Sequence, residues 1–309
     1  MVESVREQTP TGRPERTSTA SATREPRRRI QEIEVEVAEV RMDTPDTASL
    51  FLSSVEPFEY NAGHFLTIDP HQFQILEHLT GFLEDLKGTK EKPRAYSLGS
   101  APHEKYVLIT IKEERYVSGE TKYPPLLSPL LTYHCPVGTK MTIKGFTGAY
   151  TFPEDITDRT DNIVHVCAGS GVVPNLGLIK HSLFVNDGLR HTLLFSNKTR
   201  DDIIYFDDFR KLSEQHPDKL EVIHCITRED PSSIPKARRG RIDEELLREY
   251  IPDPGNCFAF SCGPGILPHE RKEAKEKGET PAPKFVENMV ALLHEAGLDK
   301  NQLKQESWG

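Results

Sequence analysis

Val164-His165-Val166-Cys167-Ala168-Gly169-Ser170-Gly171-Val172-Val173-Pro174, continuing as Asn175-Leu176-Gly177-Leu178-Ile179-Lys180, is the stretch on which the reading of the whole chain turns. An apolar run bounded by glycine predicts a buried strand. Gly169 and Gly171 predict a tight turn whose backbone can come close to a ligand. Pro174 suits the first turn of a following helix, where its missing N–H has no intrahelical partner. A helix N-terminus presents free N–H groups and a positive dipole end. Strand, turn and helix together therefore make a candidate pyrophosphate site. The pattern is Gly-x-Gly-x-x-Pro, not the Gly-x-Gly-x-x-Gly of the usual dinucleotide fingerprint. Taken alone it serves packing as readily as binding, so its surroundings carry the weight.

Downstream, strand and helix patterns alternate. Strands are predicted at 162–168, 191–197, 220–226 and 257–261, and helices near 174–185, 201–215, 243–250 and 284–296. This predicts an α/β domain over 160–309 with a doubly wound parallel sheet. The charged, proline-bearing stretch at 266–283 reads as a surface insertion, either an excursion or a short solvated helix. Upstream the texture is β. Six short strands near 33–40, 49–53, 63–68, 94–98, 106–112 and 140–143 predict an antiparallel β-barrel domain over 30–155. Phe73, Ile75, Leu76, Leu79, Phe82, Leu83 and Leu86 recur at helical spacing, so 70–92 reads as a helical insertion between two barrel strands. Residues 1–29, rich in Arg, Thr, Ser, Glu and Pro, predict a disordered tail with no secretory apolar segment.

A length of 309 residues fits two domains with separate cores. The net charge of −9 argues against non-specific nucleic-acid binding. No apolar run approaches the roughly 18 residues that would cross a bilayer. Cys135, Cys167, Cys225, Cys257 and Cys262 are scattered, mostly within apolar runs, and predict reduced thiols in a cytoplasmic protein. Their spacing lacks the plant-type iron–sulfur run and the zinc ribbon. The histidines show no metal-ligand spacing. Ser128 and Ser261 lack a nucleophile-elbow context.

Four motifs occur in order: Arg94-Ala95-Tyr96-Ser97, the Gly169–Pro174 turn, Cys262-Gly263-Pro264 and the terminal Glu306-Ser307-Trp308. With a barrel ahead of an α/β domain, the chain from about residue 33 onward resembles the ferredoxin–NADP reductase superfamily. That family's flavin motif is Arg-x-Tyr-Ser. The chemistry suits it. An arginine holds a phosphate through several donors. Arg94 and Tyr96 share one strand face while Ser97 points to the other. The resemblance implies that Tyr96 packs on the isoalloxazine and Ser97 bonds near its N5. It also implies that Cys262, with Gly263 and Pro264, lies beside the nicotinamide, and that Trp308 stacks on the flavin. Pro124-Pro125-Leu126-Leu127-Ser128-Pro129 stands where the family places a glycine-rich loop at a helix start. Ser128 matches the residue that meets the flavin phosphate, and with Pro129 after it reads as an N-cap. Gly119 is the only glycine nearby, and Phe146 replaces a proline in the family's next turn. FAD is the flavin expected, with FMN less favoured.

The choice of nucleotide rests on the residues just after the second α/β strand. A carboxylate there selects the NAD ribose, whereas a basic residue accommodates the NADP 2′-phosphate. Ser196, Lys198, Arg200 and Arg228 are placed for the latter, while Asp201 and Asp202 read as helix caps. NADPH is expected, with NADH as the alternative. The reading is a flavin reductase passing electrons to a separate ferredoxin or another one-electron acceptor protein. The chain ends where relatives fused to a ferredoxin continue. The alternatives are a reductase of free flavin or small acceptors, and a non-catalytic relay subunit of a larger complex.

Overall fold

The computed structural model describes residues 31–119 and 121–308, with backbone alone at Trp308. The expected disordered tail lies outside the described residues. In β1 (Gln31–Thr44), Val35 and Val37 are buried while Glu34 and Glu36 face water, the alternation of a half-buried strand. β2 (Thr47–Ser53), β3 (Phe65–Ile68), β4 (Arg94–Ser97), β5 (Val107–Lys112) and β6 (Lys140–Thr147) complete an antiparallel sheet in the order β4-β3-β6-β1-β2-β5. The edge strands then meet. Leu98 bridges Ile109, and the Gly99 N–H donates to the Leu108 carbonyl at 2.8 Å. Closure removes the open edges and encloses Leu50, Leu52, Leu66, Ile68, Ile109 and Ile143.

The predicted insertion is helical. Short 3-10 turns at Pro70–Gln72 and Gln74–Leu76 lead into α1 (Glu77–Lys87), which ends at Gly88 in the left-handed conformation (φ +65°). Leu76 and Leu83 bury one face of it on the barrel core. The Gln72 amide exchanges two hydrogen bonds with the Thr142 backbone, at 2.6 and 2.9 Å, and pins the insertion to β6. Two short helices, α2 (Ser128–Tyr133) and α3 (Ile156–Arg159), precede the second sheet.

That sheet is parallel. β7 (Asn162–Ala168), β8 (Arg190–Asn197), β9 (Leu220–Ile226), β10 (Arg238–Arg239), β11 (Phe258–Pro264) and β12 (Leu303–Trp308) lie in the order β10-β9-β8-β7-β11-β12. α4 (Val172–Val185) and α5 (Phe206–Gln215) pack on Leu193 and Phe195 on one face. α6 (Glu244–Tyr250) and α8 (Phe285–Glu295) pack on Val164, Val166 and Leu194 on the other. α7 (Pro268–Lys277) occupies the charged insertion. The winding reverses between β7 and β11, the switch point where such sheets bind ligands beyond their carboxyl ends.

Two strands and one helix start depart from the sequence expectation. β10 and β12 have no counterpart in it. The helix expected from 201 begins at Phe206. A reciprocal Thr199–Asp202 capping box closes a separate 3-10 turn first. Tyr205 then turns left-handed (φ +61°) and sends its phenol to the barrel, where it meets the Thr110 hydroxyl. The two sheets are further joined by Arg41–Asp208 at 2.8 Å and Lys180–Glu104 at 2.6 Å.

Candidate active site

The strand–turn–helix unit forms as its glycines suggest. β7 runs into a 3-10 turn at Gly169–Gly171, which opens α4, with Pro174 buried in the first helical turn. Gly169 has φ +52°. At Gly171 the restriction is space: a Cβ there would lie 2.2 Å from the Cys262 carbonyl oxygen. The turn thus sits directly on the end of β11, and no side chain intervenes.

A groove of about 1110 Å³ opens beyond the carboxyl ends of the strands. It is lined by Gly169, Ser170, Ser196, Asn197, Lys198, Thr227, Arg228, Arg241, Pro264 and Phe285, among others. The lining suits a phosphate-bearing nucleotide in two respects. Asn197 is buried, yet neither its amide nitrogen nor its amide oxygen has a partner, a costly state that a ligand at the groove would relieve. Lys198, Arg228 and Arg241 supply cationic donors suited to phosphate. Arg200 does not join them. Its guanidinium stacks 4.9 Å over the Phe206 ring, and it does not line the groove. Asn197 and Arg241 carry no motif that singles them out in the sequence. Asn197 alternates with Ser196 along the strand, and Arg241 comes after β10, which sequence periodicity does not reveal.

On the barrel, Arg94 donates to the Glu91 carboxylate at 2.6 Å and to the Lys92 carbonyl. Burial raises the affinity of Glu91 for a proton. Its bonds to Lys87 and Arg94 outweigh that and hold its pKa below the ordinary range. A guanidinium has five N–H donors, so Arg94 retains donors for a phosphate. Tyr96 is half-buried against the barrel core, and burial pushes its phenol pKa up. Ser128 departs from the N-cap reading. Leu127 holds the cap position, and the buried Ser128 hydroxyl instead accepts the Glu114 N–H at 3.1 Å.

Ser97 and Cys262 approach one seam between the two sheets. Cys262 is fully buried on β11 and stands in register with Cys167 of β7 and Glu306 of β12. Ser97, also buried, donates from its hydroxyl to Glu306 Oε2 at 3.5 Å across the seam. Burial pushes the Glu306 carboxyl up to about 7, partly opposed by the Ser97 bond. In the sequence Glu306 is visible only as part of a terminal motif. Its place emerges once β12 puts it beside Cys262. Gly263 is required by packing, since a Cβ would lie 2.6 Å from the Phe285 ring. Pro264 lines the groove and pairs in register with Trp308, whose side chain lies outside the described atoms.

Comparison with known proteins agrees with this fold. Residues 165–270 match the family described as the oxidoreductase NAD-binding domain. NADH-cytochrome b5 reductase 2 of Botryotinia fuckeliana is 26% identical over 265 residues, covering 82% of this chain and 71% of the relative. The ferredoxin reductase component of 3-ketosteroid-9-alpha-monooxygenase from Mycobacterium tuberculosis is 26% identical over 261 residues, covering 81% of this chain and 63% of the relative. Among solved structures, the flavohem-like FAD/NAD-binding domain of a Vibrio cholerae nitric oxide dioxygenase superposes with a TM-score of 0.66 at 19% identity, covering 90% of this chain and 98% of that one. The chain is an oxidoreductase with an NAD-binding domain at 165–270, and its two-sheet fold is that of the ferredoxin–NADP reductase-like flavin and nicotinamide oxidoreductases.

Proposed function

We propose that the protein is a NAD(P)H reductase that works through FAD and delivers electrons to a one-electron acceptor protein, a ferredoxin or an oxygenase component. The observation that carries this reading is the seam. Ser97 from the barrel and Glu306 from the α/β domain share a hydrogen bond, and Glu306 stands beside Cys262 in register. Bound flavin supplies the conversion of two-electron donation into single-electron release. The chain's own residues orient and stabilise. Arg94 would hold the flavin pyrophosphate, Tyr96 would pack along the ring, and the Ser97 hydroxyl would exchange its bond to Glu306 for one to the reacting edge. Glu306, with a pKa of about 7, holds a proton behind Ser97. Cys262 packs where nicotinamide approaches, at the mouth formed with Gly263 and Pro264. Gly169, Gly171 and the N-terminus of α4 receive the nucleotide pyrophosphate. Lys198 and Arg228 meet the 2′-phosphate beside Ser196, which favours NADPH. Ser128, buried and bonded to Glu114, supports the flavin side indirectly.

The acceptor is inferred from the roles of the relatives. One is a ferredoxin reductase component of an oxygenase, and this supports a ferredoxin-type acceptor. Another is a cytochrome b5 reductase, which favours a small haem protein as the second reading. The five thiols, all buried, suit a reducing, cytoplasmic setting. Among the described residues no helix is long and apolar enough to cross a membrane. An anaerobic absorbance titration of the purified protein with NADPH and then NADH tests the reading. A flavin band that bleaches, with NADPH preferred, is the expected result. A protein that retains no flavin and binds no added FAD contradicts it.

A further inference from the structure

Beneath the phosphate turn runs a string of buried polar side chains that the groove and the seam do not use. Asn175, in the first turn of α4, is fully buried. Its Nδ2 donates to the Gly171 carbonyl at 2.8 Å, which fixes the amide's orientation. Asn175 Oδ1 therefore faces inward. There it accepts the Tyr150 hydroxyl at 3.0 Å and lies 2.8 Å from His165 Nδ1. An amide oxygen only accepts, so His165 carries a ring proton on Nδ1. The string continues from His165 Nε2 to His191 Nδ1 at 3.0 Å. His191 Nε2 lies 2.7 Å from the Ser182 hydroxyl, which lies 2.7 Å from Asp187. Burial holds both imidazoles below their ordinary range, His165 at about 4. His165 is thus a neutral, oriented donor at neutral pH.

A buried polar string in a sheet–helix interface is costly unless each member is satisfied, and apolar residues would fill the same space more cheaply. What distinguishes this one is where Asn175 reaches. Its partners are the phosphate turn at Gly171, the central strand at His165, and the segment leaving the barrel at Tyr150. Each is tightly placed. Gly171 abuts the Cys262 carbonyl, and a Cβ on Gly63 of the barrel would lie 1.9 Å from the Tyr150 carbonyl oxygen. The Tyr150 ring meets Phe260 of β11 edge-on at 5.2 Å. Fixing the Gly171 carbonyl fixes the planar peptide that joins the turn to α4.

We propose that Asn175 is a positioning residue for the nicotinamide dinucleotide: held by His165 and Tyr150, it sets the Gly169–Gly171 turn against Cys262 so that bound nucleotide is aligned with the seam. This rests on the reductase reading.

The test is calorimetric titration of flavin-loaded protein with NADP⁺, a binding readout independent of turnover. Asn175→Leu keeps the side chain's approximate shape and removes all three hydrogen bonds. It is expected to weaken NADP⁺ binding about tenfold or more with flavin content unchanged. Tyr150→Phe removes one hydroxyl and is expected to weaken binding about threefold. Nitrogen-15 spectra of the histidine rings provide a second readout. His165 is expected to remain the neutral Nδ1–H tautomer between about pH 5.5 and 8 in the wild type, and to lose that preference in Asn175→Leu. If Asn175→Leu does not fold, Tyr150→Phe and the wild-type tautomer decide. Wild type that binds NADP⁺ while both variants bind within twofold of it overturns the proposal and leaves the reductase reading intact. Wild type that binds neither NADP⁺ nor NAD⁺ overturns both.

Discussion

The groove beyond the parallel strands and the barrel strand β4 differ in how their polar groups are engaged. In the groove, the Asn197 amide has no partner, and Lys198, Arg228 and Arg241 make no ion pair among the described residues. On the barrel, Arg94 is bonded to Glu91, Ser97 to Glu306 and Ser128 to the Glu114 N–H. Unengaged donors suit a ligand that enters and leaves in every cycle, since nothing internal has to be broken first. Groups already held by the chain suit a resident cofactor. Their geometry is set before it arrives, and binding exchanges or extends bonds that exist.

The contrast gives its largest effect at the point where the two regions touch. Gly171→Val drives a side chain into the Cys262 carbonyl. It is expected to abolish nucleotide binding and to cost about 1–3 kcal/mol of stability, read by titration and thermal unfolding. Next is Ser97→Ala, which removes the barrel's donor at the seam. Flavin reduction followed by stopped flow is expected to slow about 100-fold, roughly 2.7 kcal/mol of barrier, with flavin retained. Third, replacing Lys198 and Arg228 together by alanine should raise the KM for NADPH about tenfold while leaving that for NADH within about twofold, because only the 2′-phosphate loses its partners. Equal losses for both nucleotides would move these cations from the 2′-phosphate to the pyrophosphate. The smallest effect belongs to Arg200→Ala. Its guanidinium rests on Phe206, so the KM for either nucleotide should shift less than about twofold. A large rise would show that Arg200 swings into the groove.

Much of this is legible in the chain. The periods of the two sheets, the insertion helix and the glycine turn are all local patterns, and the folded chain keeps them. Arg94, Ser97, Gly169, Gly171 and Cys262 stand on the elements their motifs suggest. What escapes depends on neighbours. β12, Leu303–Trp308, is mostly polar because it is an edge strand, and its identity comes from pairing with β11. Without that pairing Glu306 has no visible link to Cys262. The Asn175–His165–His191 string is spread over one helix and two strands, and no spacing rule joins such residues. Ser128 reads locally as a cap, yet the Glu114 backbone claims its hydroxyl. Arg200 reads as a groove cation until the left-handed Tyr205 redirects the following helix and places Phe206 beneath it.

The central claim is that Ser97, Cys262 and Glu306 form the meeting point of the two cofactors. Its most direct test is the rate of flavin reduction by NADPH, measured anaerobically by stopped flow between about pH 6 and 8.5, in the wild type and in Glu306→Gln. With its pKa raised to about 7, Glu306 is neutral below that value and anionic above it. An anion beside Ser97 opposes the arrival of negative charge at the seam, so the wild-type rate should fall as pH rises through about 7. In Glu306→Gln that inflection should be absent. The same inflection in both proteins would contradict the account.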